Sequence, residues 1–201
     1  MKTLPHEQGS EEWFAARVGI PTASCFKDII TSQGKKSASF GRYANTLVAA
    51  KLMGRAPETF QNEWMARGTE LEPQARAFYE FERDVTVTEV GLCLLDDGSA
   101  GASPDGLTDT YGLEIKCPAP HTHVDYLSKS KVPSEYIAQV QGCMWICERD
   151  AWDFLSFHPD MPPLLVRVNR DDEFIKTLSG LIVELNDKVL STTEKIRSVA
   201  A

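Results

Sequence analysis

The sequence predicts an α/β protein in which a mixed central sheet is flanked by helices. Three observations indicate this class: helical apolar patterns dominate residues 10–81, short strand patterns follow them, and the last two strands lie between helices. Apolar residues make up 42% of the 201-residue chain and charged residues 25%, which is ordinary for a globular protein. Nothing in the composition resembles a linker, so we expect a single domain over residues 1–201.

The first part of the chain predicts four helices, because apolar residues there recur three and four positions apart. Ser10 and Thr22 are placed to cap the first two, and a basic polar loop follows the second. The helices run from Glu11 to about Arg17, from Thr22 through Ile30, from Phe40 to Gly54–Pro57 and from about Glu63 to Phe81.

Beyond residue 84 the pattern changes to short strands and turns. We expect an antiparallel meander with strands over residues 85–95, 100–103 and 113–117. A helix then opens at Pro133 and Ser134, and two apolar strands cover residues 152–157 and 164–168. Asp171 is placed to cap a final helix that ends near Ser191.

Charge is distributed unevenly along the chain. The net charge of −8 alone argues against an acidic partner. However, residues 17–55 contain seven basic residues and one acidic residue, whereas residues 68–110 contain two basic and ten acidic residues. This asymmetry allows one region to hold a polyanion while a carboxylate-rich region binds divalent cations. Two solvated faces of opposite charge remain an alternative interpretation.

The sequence also predicts a cellular setting. No run approaches the roughly 18 apolar residues of a membrane span, and the first residues lack the apolar segment of a secretory signal. The five cysteines, an odd number, favour free thiols in a reducing compartment. We therefore expect no membrane partner and a cytoplasmic location, in a bacterial or phage-infected cell.

The most informative stretch contains Asp105, Glu114 and Lys116. Because strand residues two apart face the same side, Glu114 and Lys116 should project together, with Ile115 opposite. Asp105 precedes them by one hairpin and can meet Glu114 across it. Two adjacent carboxylates repel unless a cation lies between them, and an oxygen-preferring ion such as Mg²⁺ suits them. Lys116 could then orient or deprotonate an attacking water. A surface hairpin with a weak Glu–Lys pair is the alternative.

Pro104-Asp105 followed by Glu114-Ile115-Lys116 resembles the PD-(D/E)XK nuclease pattern. The chain resembles more specifically the lambda exonuclease family of phage recombination nucleases (YqaJ-type), from about residue 13 to residue 187. The matching segments are residues 13–24, 68–72, 102–107, 112–118, 136–141, 144–145 and 151–152.

This resemblance implies a PD-(D/E)XK, restriction-endonuclease-like core and a Mg²⁺-dependent exonuclease, with Mn²⁺ as a substitute and two ions per site. The enzyme would digest the 5′-ended strand of double-stranded DNA ends in the 5′→3′ direction, releasing mononucleotides and leaving a 3′ single-stranded tail. The family implies a ring-shaped homotrimer and a single-strand annealing protein as partner.

The resemblance also assigns roles to individual residues. Asp105, Glu114 and the Ile115 carbonyl would ligate metal, and Lys116 would assist the nucleophilic water. Glu72 matches a helix carboxylate near the second metal, with Glu70 as a competitor for that role. The match for a 5′-phosphate pocket comprises Arg17, Ser24, Ser103 and Gln139, with Tyr136 in the motif around Gln139.

Several other residues have less specific interpretations. Exposed lysines could contact the DNA backbone without sequence preference; they are Lys35, Lys36, Lys129 and Lys131. The four tryptophans fit the core better than a base-stacking role. His121 and His123 are interpreted as loop residues near the mouth of the active site.

Two other functions remain open. A PD-(D/E)XK endonuclease of restriction or repair type would share the metal site without needing a 5′-phosphate pocket. A DNA-end-binding or annealing module would use the carboxylates only structurally.

Overall fold

Six α-helices surround two small sheets in a computed structural model that describes residues 1–55 and 63–199 of the chain. The helices are α1 (Glu11–Ala16), α2 (Phe40–Met53), α3 (Glu63–Arg83), α4 (Pro120–Lys129), α5 (Ser134–Ile146) and α6 (Asp172–Val199). A 3₁₀-helix over Ala23–Asp28 lies between α1 and α2.

The strands of the described residues form a three-stranded and a four-stranded sheet. Their bounds are β1 (Lys2–Leu4), β2 (Leu92–Leu94), β3 (Gly101–Ala102), β4 (Gly106–Leu107), β5 (Gly112–Lys116), β6 (Ala151–Ser156) and β7 (Leu164–Asn169). The three-stranded sheet is antiparallel, in the order β1-β2-β3. The four-stranded sheet has the order β4-β5-β6-β7, with β5 and β6 parallel and the other pairs antiparallel.

The mixed α/β class is confirmed, but the expected single meander is divided between the two sheets. β3 pairs with β2, whereas β4 pairs with β5. The break falls at Pro104, which has no N–H to donate to a ladder. Its carbonyl accepts instead from Gln8 Nε2 at 2.9 Å. The expected strand over residues 85–95 is also shorter, with only an isolated bridge at Thr88 before β2.

The helix predictions are largely confirmed. Ser10 caps α1 by accepting from the Trp13 N–H. The second predicted helix is a 3₁₀-helix whose preceding Thr22 makes no side-chain cap. The last helix, which Asp171 caps through the Phe174 N–H at 2.9 Å, extends to Val199 rather than Ser191. α2 ends with Gly54 at a φ of 67°, and the predicted stop at residues 56–57 lies outside the described residues.

Helices cover both faces of the four-stranded sheet. On one face, Ala75 and Tyr79 of α3 pack with Leu113 and Ile115 of β5. On the other, α5 joins the larger apolar cluster, in which Trp152 of β6 is fully buried. The alternation of β5 therefore sends Ile115 towards α3 and Glu114 towards the opposite face. Glu114 is thus buried by the packing of the sheet itself.

None of the helices in the described part of the chain is long and apolar enough to cross a membrane.

Candidate active site

Strand β5 brings Glu114 and Lys116 together as predicted. The Lys116 Nζ donates to Glu114 Oε1, and Gln139 Nε2 of α5 donates to the same oxygen at 2.5 Å. Glu114 is fully buried. Its second oxygen, Oε2, is buried and has no hydrogen-bond partner among the described residues. A buried carboxylate oxygen without a partner is costly, so this atom points to a missing cation or donor.

Asp105 lies at the bend before β4, beside Glu114. The antiparallel pairing of Gly106 with Leu113 fixes this approach. Asp105 Oδ2 accepts a hydrogen bond from the Ile115 N–H at 2.6 Å, which holds the carboxylate against β5. The short β4–β5 hairpin therefore supplies both carboxylates, as the spacing of the two residues predicts.

Burial dominates the electrostatics of this pair. It raises the pKa of Glu114 to about 7, although Lys116 lowers it. Burial likewise raises the pKa of Asp105, against the opposing effects of Lys116 and the Ile115 N–H. Burial lowers the pKa of Lys116, but the two carboxylates raise it by more, so the net shift is upward. Lys116 is therefore a stable cation that offsets only part of the negative charge.

Glu72 reaches the same site from α3. It is half-buried, and burial together with the Asp105 charge raises its pKa. Glu72 lines a cleft of about 610 Å³ with Asp105 and Lys116. Glu70, the competing candidate, is exposed and is not part of the cleft lining. The cleft also contains Tyr136, whose ring centroid lies 5.3 Å from the Lys116 Nζ.

The donor set fits a hard divalent cation with few protein ligands. Within residues 1–55 and 63–199, no group of three or more His, Cys, Asp or Glu side chains is close enough to hold a metal alone. Asp105, the free oxygen of Glu114 and the Ile115 carbonyl would therefore need water or substrate oxygens to complete the shell. Mg²⁺ commonly keeps several waters and binds through one or two carboxylates.

Three of the four phosphate-pocket candidates lie in a second cluster. The Arg17 guanidinium stacks 3.8 Å from the Trp13 ring centroid and donates to Thr22 Oγ1 at 3.1 Å. Thr22 Oγ1 is 3.5 Å from Ser24 Oγ. The Trp13 Nε1–H donates to Ser103 Oγ at 2.9 Å. Trp13 therefore connects Arg17 with Ser103, a role that its interpretation as a core residue missed.

Arg17 has the properties of an anion-binding group. Burial lowers its pKa, and no carboxylate forms an ion pair with it among the described residues. A partly buried guanidinium without a carboxylate presents its donors to an external anion. Gln139, the fourth candidate, donates to Glu114 instead, and among the described residues no hydrogen bond links it to this cluster.

The lysine candidates differ in their surroundings. Lys35 and Lys131 are exposed. Lys36 pairs with Glu184 and lies 4.0 Å from the Phe40 ring centroid, and Lys129 pairs with Asp125 at 2.6 Å. The last two charges are therefore partly neutralised within the chain.

The interpretation of the two histidines as loop residues is wrong, because both lie in α4. His121 is exposed and lines the cleft. His123 is fully buried, with Nδ1 2.7 Å from Ser156 Oγ and Nε2 2.9 Å from the Pro162 carbonyl. These contacts anchor α4 beside the cleft. Trp152 is a core residue as expected, and the side chain of Trp64 lies outside the described residues.

The fold places Asp105, Glu114 and Lys116, the residues that match the PD-(D/E)XK pattern, close together. The model of the YqaJ-like viral recombinase domain matches residues 12–150. The chain belongs to this family.

Solved structures agree with this assignment. An alkaline exonuclease (LHK-Exo) from Laribacter hongkongensis has a TM-score of 0.86 and 38% identity, over 95% of this chain and 98% of that one. A phage related exonuclease from Haemophilus somnus 129PT shares the fold, with a TM-score of 0.73 and 16% identity over 88% of this chain and 96% of that chain.

A curated relative is longer. Uncharacterized protein R354 of Acanthamoeba polyphaga mimivirus is 27% identical over 94% of this chain, which spans 38% of the length of that protein.

Proposed function

We propose that this protein is a Mg²⁺-dependent 5′→3′ exonuclease that acts on double-stranded DNA ends. The observation that carries the proposal is the buried Glu114 Oε2, which has no hydrogen-bond partner among the described residues and lies beside Asp105 and Lys116, two residues that line the cleft. The likeness to an alkaline exonuclease, which was also solved in complex with dAMP, supports a nuclease that releases mononucleotides. Mn²⁺ should substitute for Mg²⁺, with two ions per site.

Each residue of the candidate active site would have its own role in the reaction. A bound divalent cation would polarise the scissile phosphate and lower the pKa of water. Asp105, Glu114 and the Ile115 carbonyl would hold the first ion, and Glu72, which lines the same cleft, would serve a second. Lys116 would orient the attacking water and offset charge in the transition state. Gln139 fixes the orientation of Glu114 through its Oε1.

The Arg17 cluster supports action at a strand end. Arg17, Ser24 and Ser103 present a guanidinium and two hydroxyls, a donor set suited to a terminal 5′-phosphate. Ser103 precedes Asp105 by two residues, so an anchored phosphate would be close to the metal site. Each cleavage would create a new 5′-phosphate for the same pocket, which explains repeated forward steps along one strand.

The wider assembly is part of the same proposal. A homotrimeric ring would let the basic residues face a central channel while the acidic residues face outwards or hold metal. Four lysines would contact the DNA backbone: Lys35, Lys36, Lys129 and Lys131. The 3′ single-stranded tail that remains would be the substrate of a single-strand annealing protein.

The test is digestion of linear duplexes labelled at the 5′ or the 3′ end, beside covalently closed circular DNA, with Mg²⁺ or with EDTA. We expect Mg²⁺-dependent release of 5′-labelled mononucleotide and an intact circle. Asp105→Asn should lower the rate by more than ~100-fold, because even loss of an outer partner of a metal ligand costs ~10–100-fold. Asp109→Asn, an exposed change on the same hairpin, is the matched control.

Cleavage of the circle would overturn the exonuclease in favour of the endonuclease. Unchanged digestion by Asp105→Asn would contradict the metal site.

A further inference from the structure

Arg76 contacts two parts of the candidate active site, Glu72 and the backbone of Asp105, and also the exposed Glu89. It lies one turn after Glu72 on α3, and its side chain is only 12% exposed. Its Nη2 donates to Glu72 Oε1 at 2.7 Å, and its Nη1 lies 2.8 Å from Glu89 Oε1. Its Nε donates to the Asp105 carbonyl oxygen at 3.4 Å. The guanidinium therefore bridges α3 and the bend that carries Asp105.

This bridge connects the Glu72 carboxylate with the backbone of Asp105, whose own carboxylate would otherwise repel Glu72. Glu72 and Asp105 belong to different elements, and no strand pairing links α3 to the bend before β4. The positive charge of Arg76, 2.7 Å from Glu72 Oε1, offsets part of this repulsion.

Only arginine suits this set of contacts. A guanidinium has five N–H donors in a rigid plane and can reach three acceptors in fixed directions. A lysine ammonium would keep the charge, but its single nitrogen could not reach the oxygens of Glu72, Glu89 and the Asp105 carbonyl at the same time. The planar geometry is therefore as important as the charge.

We propose that Arg76 is a positioning residue that sets the separation of Glu72 and Asp105 before a divalent cation binds. The inference rests on the proposed function, which gives these two residues the task of holding the ions. Arg76 does not itself touch an ion in this account and acts only through Glu72 and the backbone of Asp105. Neither the sequence pattern nor the family resemblance assigned it a role.

The test is calorimetric titration of Mn²⁺ into DNA-free protein carrying Arg76→Lys or Arg76→Met. Both variants should bind Mn²⁺ ~10–100-fold more weakly, as expected for loss of a partner that orients metal ligands. Arg83→Lys is the matched control, because Arg83 ends the same helix and faces a buried acid, Asp153, at 3.6 Å. It should bind Mn²⁺ as the original protein does.

Metal rescue separates positioning from a merely structural role. The nuclease rate of Arg76→Lys should recover at high Mn²⁺, whereas that of Asp105→Asn should not. If both Arg76 variants bind Mn²⁺ normally while Asp105→Asn does not, the positioning role is refuted and the proposed function stands. If Asp105→Asn also binds normally, the proposed function fails. Should Arg76→Met fail to fold, Arg76→Lys decides the question, because it retains the positive charge.

Discussion

Glu114 shows how one side chain can be held firmly and still be available for a ligand. Its Oε1 receives hydrogen bonds from Lys116 and Gln139, whereas its Oε2 receives none among the described residues. The sequence predicted the partners on the same strand, because alternation along a strand is a local rule. It could not predict that Gln139 would contact Glu114, since that contact joins two elements 25 residues apart.

The Arg17 cluster was only partly predictable for the same reason. Arg17 and Ser24 stand close together in the sequence, and the family pattern identifies both. Trp13 is different, because its contact with Ser103 spans 90 residues and gives no local signal. The only available clue was that Trp13 lies four positions before Arg17, a spacing that makes two side chains neighbours on a helix.

Arg17→Ala should impair digestion of a 5′-phosphorylated duplex more than digestion of a 5′-hydroxyl duplex. A hydrogen bond to a charged group is worth about 1.5–3 kcal/mol, so the difference should be about 10–100-fold. The measurement is the ratio of rates on two duplexes that differ only in that phosphate. Arg42→Ala, an exposed change in the same basic region, should leave the ratio unaltered. Equal losses on both substrates would exclude the phosphate pocket.

The helices and strands were predicted well where a long apolar pattern defines them, as in α2, α5 and β6. α4 was missed because it is short, begins at Pro120, and has as its buried residues His123 and Tyr126, neither of which is aliphatic. β1 was missed because three residues carry little signal and its order depends on pairing with β2, about 90 residues away. The boundary between the two sheets could not be predicted, because it falls at a single proline, Pro104. A proline at that position is compatible with either a turn or a sheet edge.

Two glycines inside helices should respond in opposite directions to alanine. An added Cβ at Gly180 of α6 meets nothing within 4 Å, so Gly180→Ala should raise the free energy of unfolding by about 0.5–1 kcal/mol. At Gly142 of α5 the added Cβ would lie 2.3 Å from Phe26 Cδ2, so overpacking should cost about 1–3 kcal/mol. Urea unfolding curves measure both. Stabilisation by Gly142→Ala would show that α5 and the 3₁₀-helix are less tightly packed than described.

The molecule as a whole carries a net charge of −8 and yet has a basic region over residues 17–55. A single chain of this kind would hold DNA weakly, because phosphate contacts need several cations on one surface. Assembly around a channel would collect the basic regions of several copies. The sequence carries no count of subunits, and neither the apolar pattern nor the charge pattern could provide one.

If the proposed homotrimeric ring forms, light scattering after size exclusion should give a particle of about three times the 22.3 kDa mass of the chain. The particle should persist in the metal-free protein, since assembly does not depend on the metal site in this account. A monomer, both with and without linear duplex DNA, would contradict the ring.

The most direct measurement is a crystal structure of the protein soaked in Mn²⁺, with anomalous scattering recorded for manganese. We expect an anomalous peak within coordination distance of the Asp105 carboxylate and Glu114 Oε2, with Lys116 beside it. A map without a peak there, from crystals in which these side chains are ordered and point apart, would contradict the proposed metal site.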